Sequence, residues 1–150
     1  MLTLSSAGAW SKWETATSKL IVDAEYIAKS NDPKWYSHCS LNFNGTNVQL
    51  RALAFARIES HFFVNGGWMA DGQLLKDAYK IKHLPIVIVQ GRYDIVCPAK
   101  TSWELYQALG GVENSNVEYK IINDAGHSAH EKTIELALVD AANKFKSLHT

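Results

Sequence analysis

Cysteine is nearly missing from this chain: Cys39 and Cys97 stand far apart in 150 residues and form no C-x-x-C. Neither a disulfide framework nor a zinc site is suggested by that spacing, and a reducing, cytoplasmic setting fits best. An excess of either charge is missing too. Lys plus Arg and Asp plus Glu each total 15, so the formal net charge is zero. No basic face therefore advertises a nucleic-acid or anionic-membrane partner. No apolar run approaches the ~20 residues that a membrane span requires. The first residues also lack a basic stretch followed by an apolar one, so no secretion signal is read. The expectation is a soluble protein without nucleic-acid or membrane partners. Internal repeats and low-complexity segments are absent as well.

What is present is globular: 47% hydrophobic and 20% charged residues, enough at this length to bury a core. From Ala7 to Lys29 the residues Trp10, Trp13, Thr17, Leu20, Ile21, Ala24 and Ile27 recur at spacings of three and four. That predicts helix, broken near Ile21 to Asp23. Asn31 to Val48 is rich in Asn with Asp32, Pro33 and Gly45, and reads as an irregular, insertion-like connection. Its Asn44-Gly45-Thr46 matches a glycosylation acceptor but reads as a polar turn. Gln49 to Val64 is helical, with Leu50, Leu53, Ala54, Ile58 and Phe62 on one stripe, and Asn65-Gly66-Gly67 ends it.

Gln73 to Ile81 predicts a short helix. Ile86 to Gln90 is a short apolar run rich in β-branched residues, as in a strand buried on both faces. Gly91 breaks the strand, and Pro98 lies where a helix takes its first residue. Pro98 to Leu109 reads as that helix, stopped by Gly110-Gly111. Val117 to Ile122 gives a second strand, and Glu131 to Leu148 a last helix with Ile134, Leu138, Ala141, Ala142 and Phe145 inward. Two consecutive βα units imply a parallel pair of strands joined by a crossover.

Chemistry is expected at the two strand ends. Asp94 follows the first strand and His127 follows the second, so the crossover brings both to one edge of the sheet, where α/β enzymes keep catalytic groups. An acid and an imidazole in that order match the last two members of a Ser…Asp…His triad. Taken alone, one Asp and one His are a weak signal, since a loop histidine is more often a surface residue.

Four segments add to it. G-R-Y-D-I-V-C-P at Gly91 to Pro98 and D-A-G-H-S-A at Asp124 to Ala129 resemble the acid and histidine segments of proline iminopeptidases, serine aminopeptidases of the α/β-hydrolase fold. A-W-S-K-W-E-T-A-T at Ala9 to Thr17 resembles that family's cap helix. A-L-A-F-A-R-I-E-S-H-F-F-V at Ala52 to Val64, with the Asn65-Gly66-Gly67 after it, resembles a second cap segment. Only Asn31 to Val48 finds no counterpart.

The resemblance implies an incomplete α/β-hydrolase of α/β class: a helical cap over residues 1–82 with an irregular insertion at 31–48, then two βα units at 83–150 as the C-terminal part of the core. By the same resemblance Asp94 is the triad acid and His127 the general base. Glu14 and Glu59 are the carboxylates that receive the substrate's free α-amino group, and the substrates are peptides with N-terminal proline. No cofactor or metal is implied. Trp10, Trp13, Phe55, Phe62 and Phe63 read as core, and Arg57, His130 and Cys97 as packing or surface residues.

The departure from the family is the nucleophile. No G-x-S-x-G occurs in the chain, and Ser128, adjacent to His127, is badly placed to be its partner. The N-terminal half of the hydrolase fold is then expected as a partner, in cis or in trans. The alternative is a non-catalytic module that binds free amino termini.

Overall fold

Segments of helical period come first in the chain and strand-forming runs later. The computed structural model, which describes residues 4–21, 28 and 48–146, follows that order. Helix α1 (Leu4–Ser18) and helix α2 (Val48–Val64) are followed by a 3-10 turn at Gly66–Trp68, the short α3 (Gln73–Asp77) and a second 3-10 turn at Ala78–Lys80. Strand β1 (Ile86–Gly91), α4 (Ala99–Ala108), a 3-10 turn at Gly111–Glu113, β2 (Val117–Ile122) and α5 (Lys132–Lys146) complete the order. Apart from Val48, the insertion read at 31–48 lies outside the described residues, as do Cys39 and the Asn44-Gly45-Thr46 turn. The chain divides into two compact units: Met1–Thr17 with Ile21–Ala70, and Ser18–Leu20 with Asp71–Thr150.

Among the described residues of the first unit, those withdrawn from solvent are small ones, Ala7 on α1 and Ala56 on α2. The stripe expected on α2 is not the buried face: Ile58 and Phe62 are exposed, as are Trp13, Phe55 and Phe63. Among the described residues the buried face of α2 is the one around Ala56, which points away from Ile58 and Phe62 along the helix. The aromatic residues instead gather among themselves, with Trp10 5.5 Å from Trp13 and 6.4 Å from Phe63 between ring centroids. Helix α1 also ends at Ser18, before the break expected near Ile21 to Asp23, because the Ser18 carbonyl accepts N–H groups from the far end of the sequence.

In the second unit β1 and β2 pair in parallel with Ile86 opposite Val117 and Gly91 opposite Ile122, so the two carboxyl ends are flush. Helix α4 makes the crossover. It begins at Ala99, with Pro98 as the residue before it rather than its first residue. It ends where Gly110 adopts φ 111°, a conformation that glycine takes without Cβ strain. Ala78, Tyr106, Leu109 and Val117 form the buried cluster, with Ile86, Ile88, Leu105 and Tyr119 packed against it. Tyr106 and Tyr119 stack at 5.3 Å, which adds specific ring contact to the burial.

Two outcomes differ from the sequence reading here. Ile86 to Val89 are half-buried and only Gln90 and Gly91 are buried, so β1 is not covered on both faces. On α5 Ile134 and Ala141 are buried while Leu138 and Ala142 are exposed. The cause is common to both: among the described residues the sheet has two strands and is narrower than the apolar face of a helix, so the outer part of each face stays open.

Two measurements follow. Among the described residues Leu109 is the largest fully buried side chain, and Leu109→Ala should lower the unfolding free energy by about 2–5 kcal/mol in denaturant titrations. On the surface, a hydrogen bond from Lys144 at 2.5 Å, aided by Lys120 at 3.4 Å, holds the Glu118 carboxyl below its ordinary range against slight desolvation. A depressed folded value means stability that is present above the unfolded carboxylate range and lost as pH falls through the folded value. Lys144→Met should flatten that acid limb by less than about 1 kcal/mol, since the pair is exposed.

Candidate active site

The flush carboxyl ends of β1 and β2 set the position of everything in the site. Past Gly91 and Ile122 the two loops continue to pair, with Arg92 N donating to Ile122 O at 2.9 Å and Tyr93 N to Ala125 O at 3.0 Å. Side chains repeat the tie, Arg92 Nε donating to Asn123 Oδ1 at 2.8 Å. The loops lie so close that a Cβ on Gly91 would stand 1.9 Å from Gly126 O. Glycine is required at position 91 by that approach, which is a stronger reason than breaking a strand.

Asp94 sits in the first loop with its side chain only 7% exposed. Its Oδ1 accepts the N–H groups of Val96 at 3.0 Å and Cys97 at 2.7 Å, an Asx-type turn that fixes the carboxylate against its own backbone. Its Oδ2 accepts Gln90 Nε2 at 3.3 Å and faces His127 Nδ1 at 3.0 Å. A carboxylate only accepts hydrogen bonds, so this contact calls for a proton on Nδ1, and in a neutral ring Nε2 is then the accepting nitrogen. His127 is 37% exposed, and its ring is therefore reachable from solution.

Around the pair stand residues that the sequence reading passed over. Gln90 is buried and donates to Gly91 O at 3.2 Å and Cys97 O at 3.1 Å as well as to Asp94, closing the acid loop from beneath. A polar residue ending an apolar strand run was the available signal. The histidine loop is tied to Ser18, whose carbonyl accepts His127 N at 2.9 Å and Ser128 N at 2.7 Å. Nothing in sequence links positions 18 and 127. Cys97 lies beside Asp94, and burial, with the neighbouring carboxylate adding, pushes its thiol above the ordinary value. It remains a thiol at neutral pH and offers no nucleophilic thiolate.

In the first unit Glu14 lies on α1 and Glu59 on α2. Trp10 Nε1 donates to Glu59 Oε2 at 2.9 Å, and Trp10 shares a helix face with Glu14, four residues on. Arg57 and His130 are exposed. Among the described residues no group of three or more His, Cys, Asp or Glu side chains could hold a metal ion. No helix among them is long and apolar enough to cross a membrane.

Fold and site together define an α/β unit with an acid–imidazole pair at the carboxyl ends of adjacent parallel strands. No protein-family model matches the chain. Individual proteins do: it is 43% identical over 143 residues to the proline iminopeptidase of Xylella fastidiosa (strain Temecula1), covering 95% of this chain and 39% of that protein. The probable proline iminopeptidase of Leptolyngbya boryana is 42% identical over 146 residues, covering 97% and 39%. That of Arabidopsis thaliana is 41% identical over 144 residues, covering 95% and 32%. The chain belongs to the proline iminopeptidase family and corresponds to a C-terminal portion of its members. It spans about two fifths of the length of the first two relatives and a third of the last. That relationship implies an α/β-hydrolase fold, of which the two-stranded unit is a part.

Gly91→Ala tests the geometry directly. The added methyl has backbone to displace, so unfolding should become easier by about 1–3 kcal/mol. The tautomer of the His127 ring, read from long-range proton–nitrogen correlations, should lose its fixed Nδ1–H form.

Proposed function

We propose that this chain is the C-terminal part of a proline iminopeptidase that releases N-terminal proline from peptides by Ser-His-Asp acyl transfer. The Asp94–His127 bond, in a chain so similar to proteins of that name, is the observation that carries the reading. His127 Nε2 takes the proton of a serine hydroxyl as that oxygen attacks the scissile carbonyl, and returns it to the leaving amine. A water deprotonated the same way then hydrolyses the prolyl-serine ester, freeing proline and restoring the serine hydroxyl. Asp94 holds the productive tautomer and stabilises the imidazolium that forms. The nucleophile and the oxyanion-binding groups come from outside these 150 residues, on the same polypeptide or on a separate one, because no G-x-S-x-G lies within them.

Glu14 and Glu59 receive the substrate's α-ammonium. An ammonium offers several donors, and two carboxylates give it charge-assisted hydrogen bonds that a blocked N-terminus forfeits. The Trp10 indole, bonded to one Glu59 oxygen, leaves the other for substrate. Insertion of proline into this arrangement takes place in the cytoplasm on this reading, without cofactor or metal. The missing G-x-S-x-G favours a second reading, a non-catalytic module that binds free amino termini through the same two acids.

Complementation separates the two. The 150-residue chain alone should resist a serine-reactive phosphonate and leave a proline arylamide intact. Mixed or fused with the N-terminal portion of the Xylella relative, it should hydrolyse that arylamide. Asp94→Asn should then cost about 10⁴ in kcat. Glu14→Gln and Glu59→Gln should each raise KM for the unblocked substrate about 10- to 100-fold, the worth of a charge-assisted hydrogen bond. Binding of L-prolinamide without turnover in any pairing would favour the module.

A further inference from the structure

Glu131 is the residue before the first turn of α5, and its side chain does not serve that helix. Its Oε1 accepts Gly126 N at 2.8 Å and its Oε2 accepts Leu20 N at 3.2 Å, so one carboxylate bridges the residue before the histidine and a segment over a hundred positions away. That segment, Ser18–Leu20, belongs to the same compact unit as the loop. It grips the loop a second time through Ser18 O, which accepts His127 N and Ser128 N. The packing between the two is backbone on backbone. A Cβ on Gly126 would stand 2.9 Å from Leu20 N, 3.2 Å from Glu131 Oε1 and 3.3 Å from Lys19 C. On its far side the loop is turned back by Glu131 N donating to Ser128 O at 3.0 Å.

We infer that Glu131 is a positioning residue for the base: with Ser18–Leu20 it fixes the backbone from Gly126 to Ser128 and thereby aims the His127 ring at Asp94. The inference rests on the reading of His127 as the general base. Physically, the exposed His127 side chain has one directional bond, to Asp94, and a ring on a loose loop would sample many positions for each one that makes it. Four N–H groups directed at two acceptor groups remove that freedom at the main chain. Glu131 touches no reacting atom, so its effect passes entirely through the loop.

The test uses the 150-residue chain labelled with nitrogen-15. In the wild type the His127 ring should be in the Nδ1–H tautomer, and the amides of Gly126, His127 and Ser128 should exchange slowly. In Glu131→Ala both ring tautomers should appear and those three amides should exchange about tenfold faster or more, the kinetic counterpart of losing a charge-assisted bond. Amides of Ile86–Gly91 and Val117–Ile122 and the unfolding midpoint should change little, as a purely structural role would not allow. Glu135→Gln, on the same helix, should change neither readout. Should Glu131→Ala not fold, Glu131→Gln keeps the size and one acceptor oxygen, and should still lose one of the two bonds and loosen the same amides. Unchanged tautomer and exchange in a folded Glu131 variant would overturn the inference. A wild-type ring without the Nδ1–H tautomer would instead refute the acid–base reading, and the amide exchange would then decide the role of Glu131 on its own.

Discussion

The approach of the Ala125–Gly126 backbone to Gly91 is the constraint on which the site depends. The parallel register brings β1 and β2 to an end together, and the two loops then run on in contact because position 91 has no side chain to hold them apart. From that contact the rest follows in order. Tyr93 bonds to Ala125, Asp94 turns back on the N–H groups of Val96 and Cys97, and the remaining carboxylate oxygen meets His127. A side chain at position 91 would act on the Asp94–His127 contact without touching it.

Asp94 is held more tightly than His127. Asp94 is nearly buried and accepts four hydrogen bonds, three of them from its own loop and from Gln90 beneath it. His127 is partly exposed, and its side chain relies on Asp94 while its backbone relies on Ser18. This asymmetry suits the chemistry proposed. An orienting group gains from being fixed before the reaction, whereas a ring that passes a proton between two atoms has to remain accessible to both.

The chain shows large apolar side chains on both units, including Phe62, Phe63 and Trp68 in the first and Leu136, Leu138 and Val139 in the second. Sequence periodicity had placed Phe62 and Leu138 inside. Periodicity reports which residues share a face of a helix, and it is silent about whether a further layer covers that face. On α2 the helical period held but the buried face is the one around Ala56, away from Ile58 and Phe62, whereas on α5 the buried Ile134 and Ala141 do lie on the expected face and Leu138 of that face is exposed.

By itself the sequence determined the element order, both strands to within one residue, the ends of α4 to within one residue, and the two residues that meet at the strand ends. Those are local properties: β-branched runs, helical spacing and Gly or Pro punctuation act over a few residues, and a crossover of ordinary length leaves the strand ends on one edge. The tertiary structure alone decided that α1 stops at Ser18, that Gln90 supports Asp94, that Gly91 serves a close approach, and that Glu131 and Ser18 hold the histidine loop. Each of these rests on a backbone group finding a partner far away in sequence, and a backbone N–H or carbonyl is the same at every position, so nothing in the order of side chains announces which pair will meet.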